Sequence, residues 1–213
     1  MDKIQIIGVP QSNYVWAVRM ACEEKGVPYE IVPVRPHTPD IDALHPLGKI
    51  PGMRHGDVAL CESKAIATYI DRTFPGPKLI PEDARGAAQV EQWVSLVNTS
   101  VDPCLVRIYL LAYFFPKTAD GKPDRAAIDG VLPAMQKQVG LLDKAVAKTG
   151  YLAGSSFTLA DINLLPILYY VQRMPEGGEM IKAAQHLAGY FARHAERPSF
   201  KASTPPPPPG HKA

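Results

Sequence analysis

The chain has 213 residues, 46% of them hydrophobic, which suffices for one large or two modest globular domains. Lysine and arginine together number 23 and aspartate and glutamate 21, so the net charge of +2 gives no reason to expect a nucleic-acid partner or an anionic membrane surface. No apolar run approaches the roughly 18 residues needed to cross a bilayer. The opening Met1-Asp2-Lys3 leads directly into a predicted strand, so we expect no signal peptide.

The cysteines indicate the compartment. Cys22, Cys61 and Cys104 are odd in number, far apart and without CxxC spacing, which predicts free thiols in a reducing compartment rather than a disulfide framework. No cluster of histidine, cysteine and carboxylate residues has the spacing of a metal site. We therefore expect a cytoplasmic enzyme or binding protein that holds no metal.

The N-terminal part of the chain alternates strand and helix signals. Residues 3–9 form an apolar run that is typical of a buried strand. A helix follows, which Ser12 or Asn13 can cap and Gly26 can end. Residues 29–34 predict a second strand, and the length between the two strands suits a parallel pair joined by a crossover helix.

A hairpin and a helix complete this first unit. Residues 52–54 and 57–60 predict two short strands, after a loop rich in proline and histidine in which residues 40–44 can form a helical turn. The helix after Glu62 places its apolar residues on one face until Pro75-Gly76-Pro77 stops it. The order βαβ and then ββα predicts a small α/β sandwich of about 75 residues.

The rest of the chain predicts helices. One long apolar stripe begins at Val90 and contains Pro103, which we expect to kink or split the helix. A second stripe runs over residues 128–146 with Pro133 inside it, a conflict that the pattern does not resolve. A last helix is predicted over residues 181–195.

Two further signals mark element boundaries. Thr158 and Asp161 fit the capping pattern ahead of an apolar run over residues 162–171. From Ser203 onward, a segment with five consecutive prolines predicts an extended, solvated tail outside the fold. The predicted organisation is an α/β domain over residues 1–76, a linker over 77–86, a helical domain over 87–200 and a proline-rich tail over 201–213.

The segment GKIPGMRHGDVALCESKAIATYID carries the strongest binding signal. A proline beside a strand removes a ladder donor and lies at an edge or in a turn, where a cis bond is allowed. The backbone of Ile50, before Pro51, can then pair with a peptide-like ligand instead of its own sheet. Glu62-Ser63 opens a helix whose first N–H groups can hold a carboxylate. These features predict a site for a small, zwitterionic, peptide-like molecule.

Three segments, GKIP, CESKAIATYI and FTLADINLLPIL, carry a resemblance to a family. They resemble the loop and cis-proline before the third strand, the Glu-Ser pair at the third helix and the capping box of the second domain in cytosolic glutathione transferases. The chain resembles theta- and phi-like bacterial members with an N-terminal serine, from about residue 3 to residue 200. The resemblance implies a thioredoxin-like N-terminal domain, an all-helical C-terminal domain, a homodimer and a role in detoxification.

The resemblance also implies that glutathione is bound as a co-substrate and that its thiol is activated. A free thiol has a pKa of about 8.5 and is mostly protonated at pH 7, so a donor beside the sulfur is needed. Ser12 is the first choice, because SNYVWAV resembles the pattern in which a serine at the start of the first helix faces the thiol. Asn13 is the second choice and Tyr14 the third, and a plain N-cap is the alternative role for Ser12. Theta-like relatives place an arginine four residues after this serine, where this chain has Trp16, and Arg19 follows one turn later.

The other glutathione contacts are implied by position in the family. The backbone of Ile50 would pair with the cysteinyl backbone, and Glu62 would bind the γ-glutamyl ammonium. Ser63 would bind the γ-glutamyl carboxylate at the helix N-terminus. Lys49 and His37 would meet the glycine carboxylate. The alternative for Glu62 and Ser63 is a plain helix cap with an acidic residue before it, and for Lys49 and His37 simple solvation.

The electrophile is expected between the domains, against the helix after the linker. Its candidate lining residues are Tyr14, Arg107, Tyr109, Tyr113 and Phe114. An aromatic stripe at helical spacing belongs more often to a core than to a ligand pocket, so these residues have packing as their alternative role.

Three functions fit these residues. The first is a glutathione transferase that adds the thiolate to small hydrophobic electrophiles. The second is a glutathione-dependent peroxidase or isomerase on the same fold, and the third is a non-catalytic glutathione-binding module. Ser12, Glu62 and Ser63 together favour an enzyme.

Asp102 is expected to reach the γ-glutamyl group bound by a second subunit.

Overall fold

A computed structural model describes residues 3–206 of the chain. It divides into two compact units, of which the first runs to Glu82 and resumes at Glu196, and the second is Asp83–Ala195. The predicted fold class is confirmed, because the first unit holds a four-stranded mixed sheet and the second consists of helices. The boundary differs from the predicted helical domain, which extended to residue 200, since the chain rejoins the first unit at Glu196.

The sheet of the first unit has the strand order β2-β1-β3-β4. Its strands are β1 (Ile4–Ile7), β2 (Tyr29–Val32), β3 (Gly52–His55) and β4 (Val58–Cys61). β1 pairs with β2 in parallel and with β3 in antiparallel orientation, and β3 and β4 form an antiparallel hairpin. The predicted parallel pair and hairpin are thus both present, with strand ends shifted by a few residues.

Two helices lie between these strands, α1 (Asn13–Lys25) and α2 (Pro39–Asp42), and a third, α3 (Ser63–Thr73), follows β4. α1 begins after Ser12, whose Oγ accepts the Val15 N–H at 3.5 Å. It ends at Gly26, whose φ of 64° is left-handed and therefore suits glycine. Both predicted ends of this helix are confirmed.

The core of the first unit is built from β1, α1, β3 and α3. Its buried side chains are Ile4, Ile6, Val15, Val18, Cys22, Val27, Met53, Ile66 and Ile70. Beside them lies a buried ion pair, in which Lys25 Nζ is 3.2 Å from Asp71 Oδ1. Asp71 also accepts the Leu79 N–H at 2.8 Å. Because a buried charge needs partners, this pair fixes the ends of α1 and α3 to the segment that follows them.

The second unit consists of helices. They are α4 (Ala84–Leu96), a π-helical segment (Val97–Leu110), α5 (Leu111–Phe114), α6 (Arg125–Val146), α7 (Leu159–Val171), α8 (Pro175–Ala183) and α9 (Gln185–Ala195). Pro103 lies inside the π-helical segment, whose wider turns accommodate a residue without an N–H and keep the helix continuous. The continuous helix Ala84–Phe114 is long and apolar enough to cross a membrane, but half of its most apolar window is buried within the protein, as in a core helix.

The structure resolves the conflict at Pro133 and corrects one helix prediction. Pro133 does not interrupt α6, which is helical from Arg125 to Val146. The single helix predicted over residues 181–195 is divided between α8 and α9 at Ala184, whose φ of −84° and ψ of 80° are not helical. The apolar periodicity hides this break because Ala184 itself fits the stripe.

The capping box at the start of α7 is confirmed. Asp161 Oδ2 accepts the Thr158 N–H at 2.9 Å. The other carboxylate oxygen, Oδ1, accepts the Leu152 N–H and the Tyr190 hydroxyl, each at 2.8 Å. Asp161 is fully buried, so one carboxylate joins the cap, the preceding loop and α9.

The chain returns to the first unit through α10 (Pro198–Ser203), which packs against α1. The ring centroids of Trp16 and Phe200 are 5.0 Å apart, and the Trp16 indole N–H donates to Ser203 Oγ at 2.9 Å. Ser203 is fully buried and Pro205 is buried, so the prediction of a solvated tail is wrong for this part of it. The remainder of the predicted tail, residues 207–213, lies outside the described residues.

Candidate active site

The sheet register brings three chain segments to one end of the sheet. Gly52, the first residue of β3, pairs with Ile7 at the end of β1 and with Cys61 at the end of β4. The β1–α1 loop, the residues before β3 and the start of α3 are therefore neighbours. These three segments carry most of the site residues expected from the sequence.

The Ile50–Pro51 peptide is cis and lies immediately before β3. The loop after β1 approaches it closely at Gly8. A Cβ on Gly8 would lie 2.7 Å from Val15 Cγ2 and 3.1 Å from Ile50 Cβ. Glycine is therefore required here, and its presence holds Ile50 beside the loop that carries Ser12.

The three candidates for activating a thiol lie together at the start of α1. Ser12 is half-buried, and its Oγ accepts the Val15 N–H. A serine hydroxyl that accepts one hydrogen bond keeps its own proton to donate, so capping and donation to a thiolate are compatible roles. Asn13 is buried, with 7% of its surface exposed, and Tyr14 is half-buried. Ser12 is thus the more accessible of the two leading candidates.

Glu62 and Ser63 form a sharp entry into α3. Glu62 has a φ of 69° and a ψ of 115°, a region that residues other than glycine rarely occupy. Its side chain is 69% exposed, whereas Ser63 is only 8% exposed. This conformation places an accessible carboxylate directly beside the first N–H groups of a helix, so one short segment can meet both an ammonium and a carboxylate.

His37 and Lys49 lie at the two ends of one loop. The His37 N–H donates to the Gly48 carbonyl at 2.7 Å, and both residues have positive φ angles, of 58° and 61°. The side chains of His37 and Lys49 are both exposed. The structure therefore brings together the two residues expected to meet the glycine carboxylate.

His45 is a residue of this region that sequence reasoning missed. It is 3% exposed, and its Nε2 lies 3.3 Å from Glu62 Oε1. A lone histidine before a proline in a polar loop has no pattern that predicts burial or contact with a residue of the next helix.

The position where theta-like relatives place an arginine is occupied by Trp16, which is fully buried against α10. Arg19, one turn later, is 8% exposed, and its Nε and Nη1 atoms are buried without a hydrogen-bond partner. Neither side chain brings a positive charge to the start of α1. The groups at the start of α1 that can act on a thiol are therefore its hydroxyl and amide groups.

The two tyrosine candidates of the second unit converge on Glu176. The hydroxyls of Tyr109 and Tyr113 donate to Glu176 Oε2 at 3.0 and 2.5 Å, and Arg125 Nη1 lies 2.7 Å from Oε1. Tyr109 is fully buried, and its oxygen also accepts the Gly177 N–H at 2.8 Å. Tyr109, expected in the substrate pocket, is therefore a core residue, while Tyr113 is only half-buried.

The remaining candidates of this unit lie on the same long helix. Arg107 Nε lies 2.8 Å from Asp102 Oδ2, and Asp102 is 2% exposed. Because this carboxylate is buried and paired within its own helix, the structure does not favour the expected role of Asp102 toward a second subunit. The Arg107 side chain remains 46% exposed, and the Phe114 ring lies against Tyr170 with centroids 6.4 Å apart.

Burial and hydrogen bonding shift the pKa values of two thiols and one carboxylate. Burial raises the pKa of the Cys22 thiol to about 12 and also raises the pKa of Cys104, so both thiols stay protonated at neutral pH. Burial also acts to raise the pKa of Glu176, but hydrogen bonds from Tyr113 and Arg125 outweigh it and lower this pKa to about 2. Glu176 is therefore a carboxylate at neutral pH and holds its partners by charge-assisted hydrogen bonds.

A cavity of about 450 Å³ lies within the second unit, between α4 and α6. It is lined by Gln89, Gln92, Trp93, Leu141, Lys144, Ala145, Lys148, Thr149, Ala153 and Gly154. None of the site residues expected from the sequence is among them. Within residues 3–206, no group of three or more histidine, cysteine and carboxylate residues has a geometry that could hold a metal ion.

Comparison with known proteins identifies the family. The glutathione S-transferase N-terminal domain model matches residues 6–78, and the glutathione S-transferase C-terminal domain model matches residues 101–198. The chain belongs to the glutathione S-transferase family. It is 34% identical to glutathione S-transferase 3 of Zea mays, over an alignment that covers 100% of both chains. The predicted resemblance is confirmed, and the protein is a glutathione transferase.

Two solved structures extend the comparison. A maize glutathione S-transferase I in complex with an atrazine glutathione conjugate is 26% identical, covers 94% of this chain and 96% of its own, and has a TM-score of 0.84. A glutathione S-transferase from Methylobacillus flagellatus KT with GSH bound is 26% identical, covers 95% and 100%, and has a TM-score of 0.80. Plant relatives of the F type, such as glutathione S-transferase F10 of Arabidopsis thaliana at 31% identity, place this transferase with the phi-like members.

Proposed function

We propose that this transferase activates glutathione through the hydroxyl of Ser12. A donor beside the sulfur favours the thiolate, and lowering a thiol pKa by about two units corresponds to about 2.7 kcal/mol of preferential stabilisation. The N-terminal N–H groups of α1 add a favourable field for the same anion. Ser12 is accessible and already oriented as the N-cap, which supports its role as the direct donor. Asn13 serves as the second candidate.

The remaining contacts follow the chemistry of glutathione. The Glu62 carboxylate binds the γ-glutamyl ammonium, and Ser63 with the α3 N-terminus binds the γ-glutamyl carboxylate. The backbone of Ile50, outside the ladder of the described sheet, pairs with the cysteinyl backbone. Lys49 and His37 meet the glycine carboxylate. Together these groups recognise each charged end of a zwitterionic tripeptide.

The second substrate is a small hydrophobic electrophile. The maize transferase solved with an atrazine glutathione conjugate supports a small aromatic molecule as the acceptor of the thiolate. Tyr14, half-buried two residues after Ser12, is the candidate from the first unit for packing against it. Tyr113, Arg107 and Phe114 are the candidates from the second unit.

The protein works as a homodimer in the cytoplasm. The dimer is proposed from the membership of the family, and the exposed side chains of Leu47 at 62% and Leu141 at 49% are candidates for an interface. Light scattering should give twice the mass of the chain at micromolar concentration. A mass equal to one chain throughout the concentration range would contradict the dimer.

The observation that carries the proposal is the meeting of three features at one end of the sheet: the start of α1, the cis-proline loop and the start of α3. Calorimetric titration with glutathione tests binding, and initial rates with 1-chloro-2,4-dinitrobenzene and with cumene hydroperoxide test the reaction. We expect saturable binding and faster conjugation than peroxide reduction. Faster peroxide reduction would establish the peroxidase instead, and binding without turnover would establish a non-catalytic module.

A further inference from the structure

His45 is held rigidly in the loop between α2 and β3. Its N–H donates to the Ile41 carbonyl at 2.7 Å, and its own carbonyl accepts the Gly48 N–H at 2.8 Å. The residue is 3% exposed, so its ring is enclosed by the loop. A buried ring on a fixed backbone has one orientation, and its nitrogens therefore point in fixed directions.

The hydrogen bonds of the ring determine which nitrogen carries the proton. Nδ1 accepts the Leu47 N–H at 3.0 Å, and an accepting ring nitrogen has no proton. The neutral imidazole therefore carries its proton on Nε2, an assignment made from the hydrogen-bond network. Nε2 lies 3.3 Å from Glu62 Oε1, so this edge of the ring is in polar contact with the carboxylate.

Glu62 needs such a partner. Its side chain is 69% exposed, and an exposed glutamate samples several rotamers, most of which would point away from a bound ammonium. We infer that His45 is a positioning residue, which holds Oε1 of Glu62 and leaves Oε2 to receive the γ-glutamyl ammonium of glutathione. This inference rests on the proposed function of Glu62 and deepens it.

Two substitutions separate positioning from a purely structural role. The side-chain oxygen of asparagine lies close to the position of Nδ1, so His45→Asn keeps an acceptor for Leu47 and loses the contact with Glu62. The amide nitrogen of glutamine reaches close to the position of Nε2, so His45→Gln keeps a donor for Glu62 and loses the acceptor. Circular dichroism and melting temperature show whether each variant folds, and His186→Ala, at an exposed position of α9, is the matched control.

The dissociation constant for glutathione is measured by calorimetry, and kcat is measured at saturating glutathione. We expect His45→Asn to weaken glutathione binding by roughly fivefold with kcat within about twofold, as for the loss of one polar contact that orients the carboxylate. His45→Gln should bind glutathione within about twofold of the wild type. The reverse pattern, with normal binding in His45→Asn and weak binding in His45→Gln, would overturn the inference and assign His45 to loop folding alone.

An analogue of glutathione without the γ-glutamyl amino group tests the route of the effect. His45→Asn should bind this deamino analogue as tightly as the wild type does, because the analogue has no ammonium for Glu62 to hold. An equal loss of affinity for glutathione and analogue would overturn the inference. Failure of the wild type to bind glutathione would instead overturn the proposed function. Normal glutathione binding by both the wild type and His45→Asn would overturn only the role of His45.

Discussion

The hydroxyl of Ser12 is assigned two roles, one in the helix cap and one in the proposed activation of glutathione. As the N-cap of α1 it accepts the Val15 N–H, and as the proposed activating group it donates its proton to the glutathione sulfur. The two hydrogen bonds use different parts of the hydroxyl and do not compete. The same geometry that starts the helix therefore orients the donor.

Replacing Ser12 by alanine should separate catalysis from binding. We expect the conjugation rate to fall at least about tenfold, because the thiolate loses its donor, while glutathione affinity stays within a few-fold. Loss of the cap should lower the free energy of unfolding by about 1 kcal/mol. Ser12→Thr keeps both hydroxyl functions and is the control. Full activity in Ser12→Ala would transfer the role to Asn13 or Tyr14.

Glu62→Gln tests the ammonium contact. A neutral amide cannot pair with an ammonium as a carboxylate does, so glutathione affinity should fall roughly tenfold with little change in kcat at saturation. Glu82→Gln is the matched control, because Glu82 is 79% exposed and forms a surface pair with Lys78. Unchanged glutathione affinity in Glu62→Gln would leave Glu62 as a helix-entry residue only.

At the scale of elements, α10 is the support of α1. Besides the contact between Trp16 and Phe200, the Arg197 guanidinium holds Glu24 through two hydrogen bonds of 2.8 Å, and Ser199 donates to the same carboxylate. Since α1 presents Ser12, these contacts at its buried face help to fix the helix that carries the proposed donor.

Trp16→Phe removes one hydrogen bond of this contact. An aromatic ring is kept, but Ser203 Oγ loses the indole donor and the smaller side chain leaves a cavity in a buried place, so the free energy of unfolding should fall by at least about 1–3 kcal/mol. Chemical denaturation of Trp16→Phe, Ser203→Ala and the double variant measures the coupling. Additive losses in the double variant would show that the hydrogen bond contributes nothing.

The Glu176 carboxylate joins α8 to Tyr113 and to Arg125. Its shifted pKa predicts that the free energy of unfolding depends on pH. Its pKa is lowered from 4.5 to about 2, so the ionised carboxylate stabilises the folded state above pH 4.5, and this stabilisation is lost as the pH falls towards 2. Glu176→Gln should lower the free energy of unfolding by about 1–2 kcal/mol at pH 7. The difference from the wild type should shrink between pH 4.5 and pH 2 in denaturation curves. A difference that is independent of pH would contradict the role of the charge.

At the scale of the whole molecule, local patterns predicted most of the elements. Ser12 and Gly26 delimited α1, Thr158 and Asp161 marked the start of α7, and the fold class followed from their order along the chain. Capping and periodicity act over a few residues, and a sequence displays them directly. The identities of the candidate site residues came from the family resemblance, and the register of β3 explains why they share one end of the sheet.

The features that the sequence did not reveal depend on contacts between distant residues. The bond from Trp16 to Ser203 joins residues 187 positions apart, so composition alone predicted a solvated tail. Tyr109 was expected in the substrate pocket, but the same helical spacing is found in core residues. Only its contact with Glu176 decides between pocket lining and core packing. His45 had no local signal at all, since its burial and its contact with Glu62, on the far side of the β3–β4 hairpin, arise only in the folded chain.

The most direct test of the central claim is a pH titration of the ultraviolet thiolate absorbance of glutathione bound to the purified protein. We predict a bound-thiol pKa about two units below the free value of about 8.5, returning most of the way to that value in Ser12→Ala. An unshifted pKa in the presence of saturable binding would contradict thiol activation at this site.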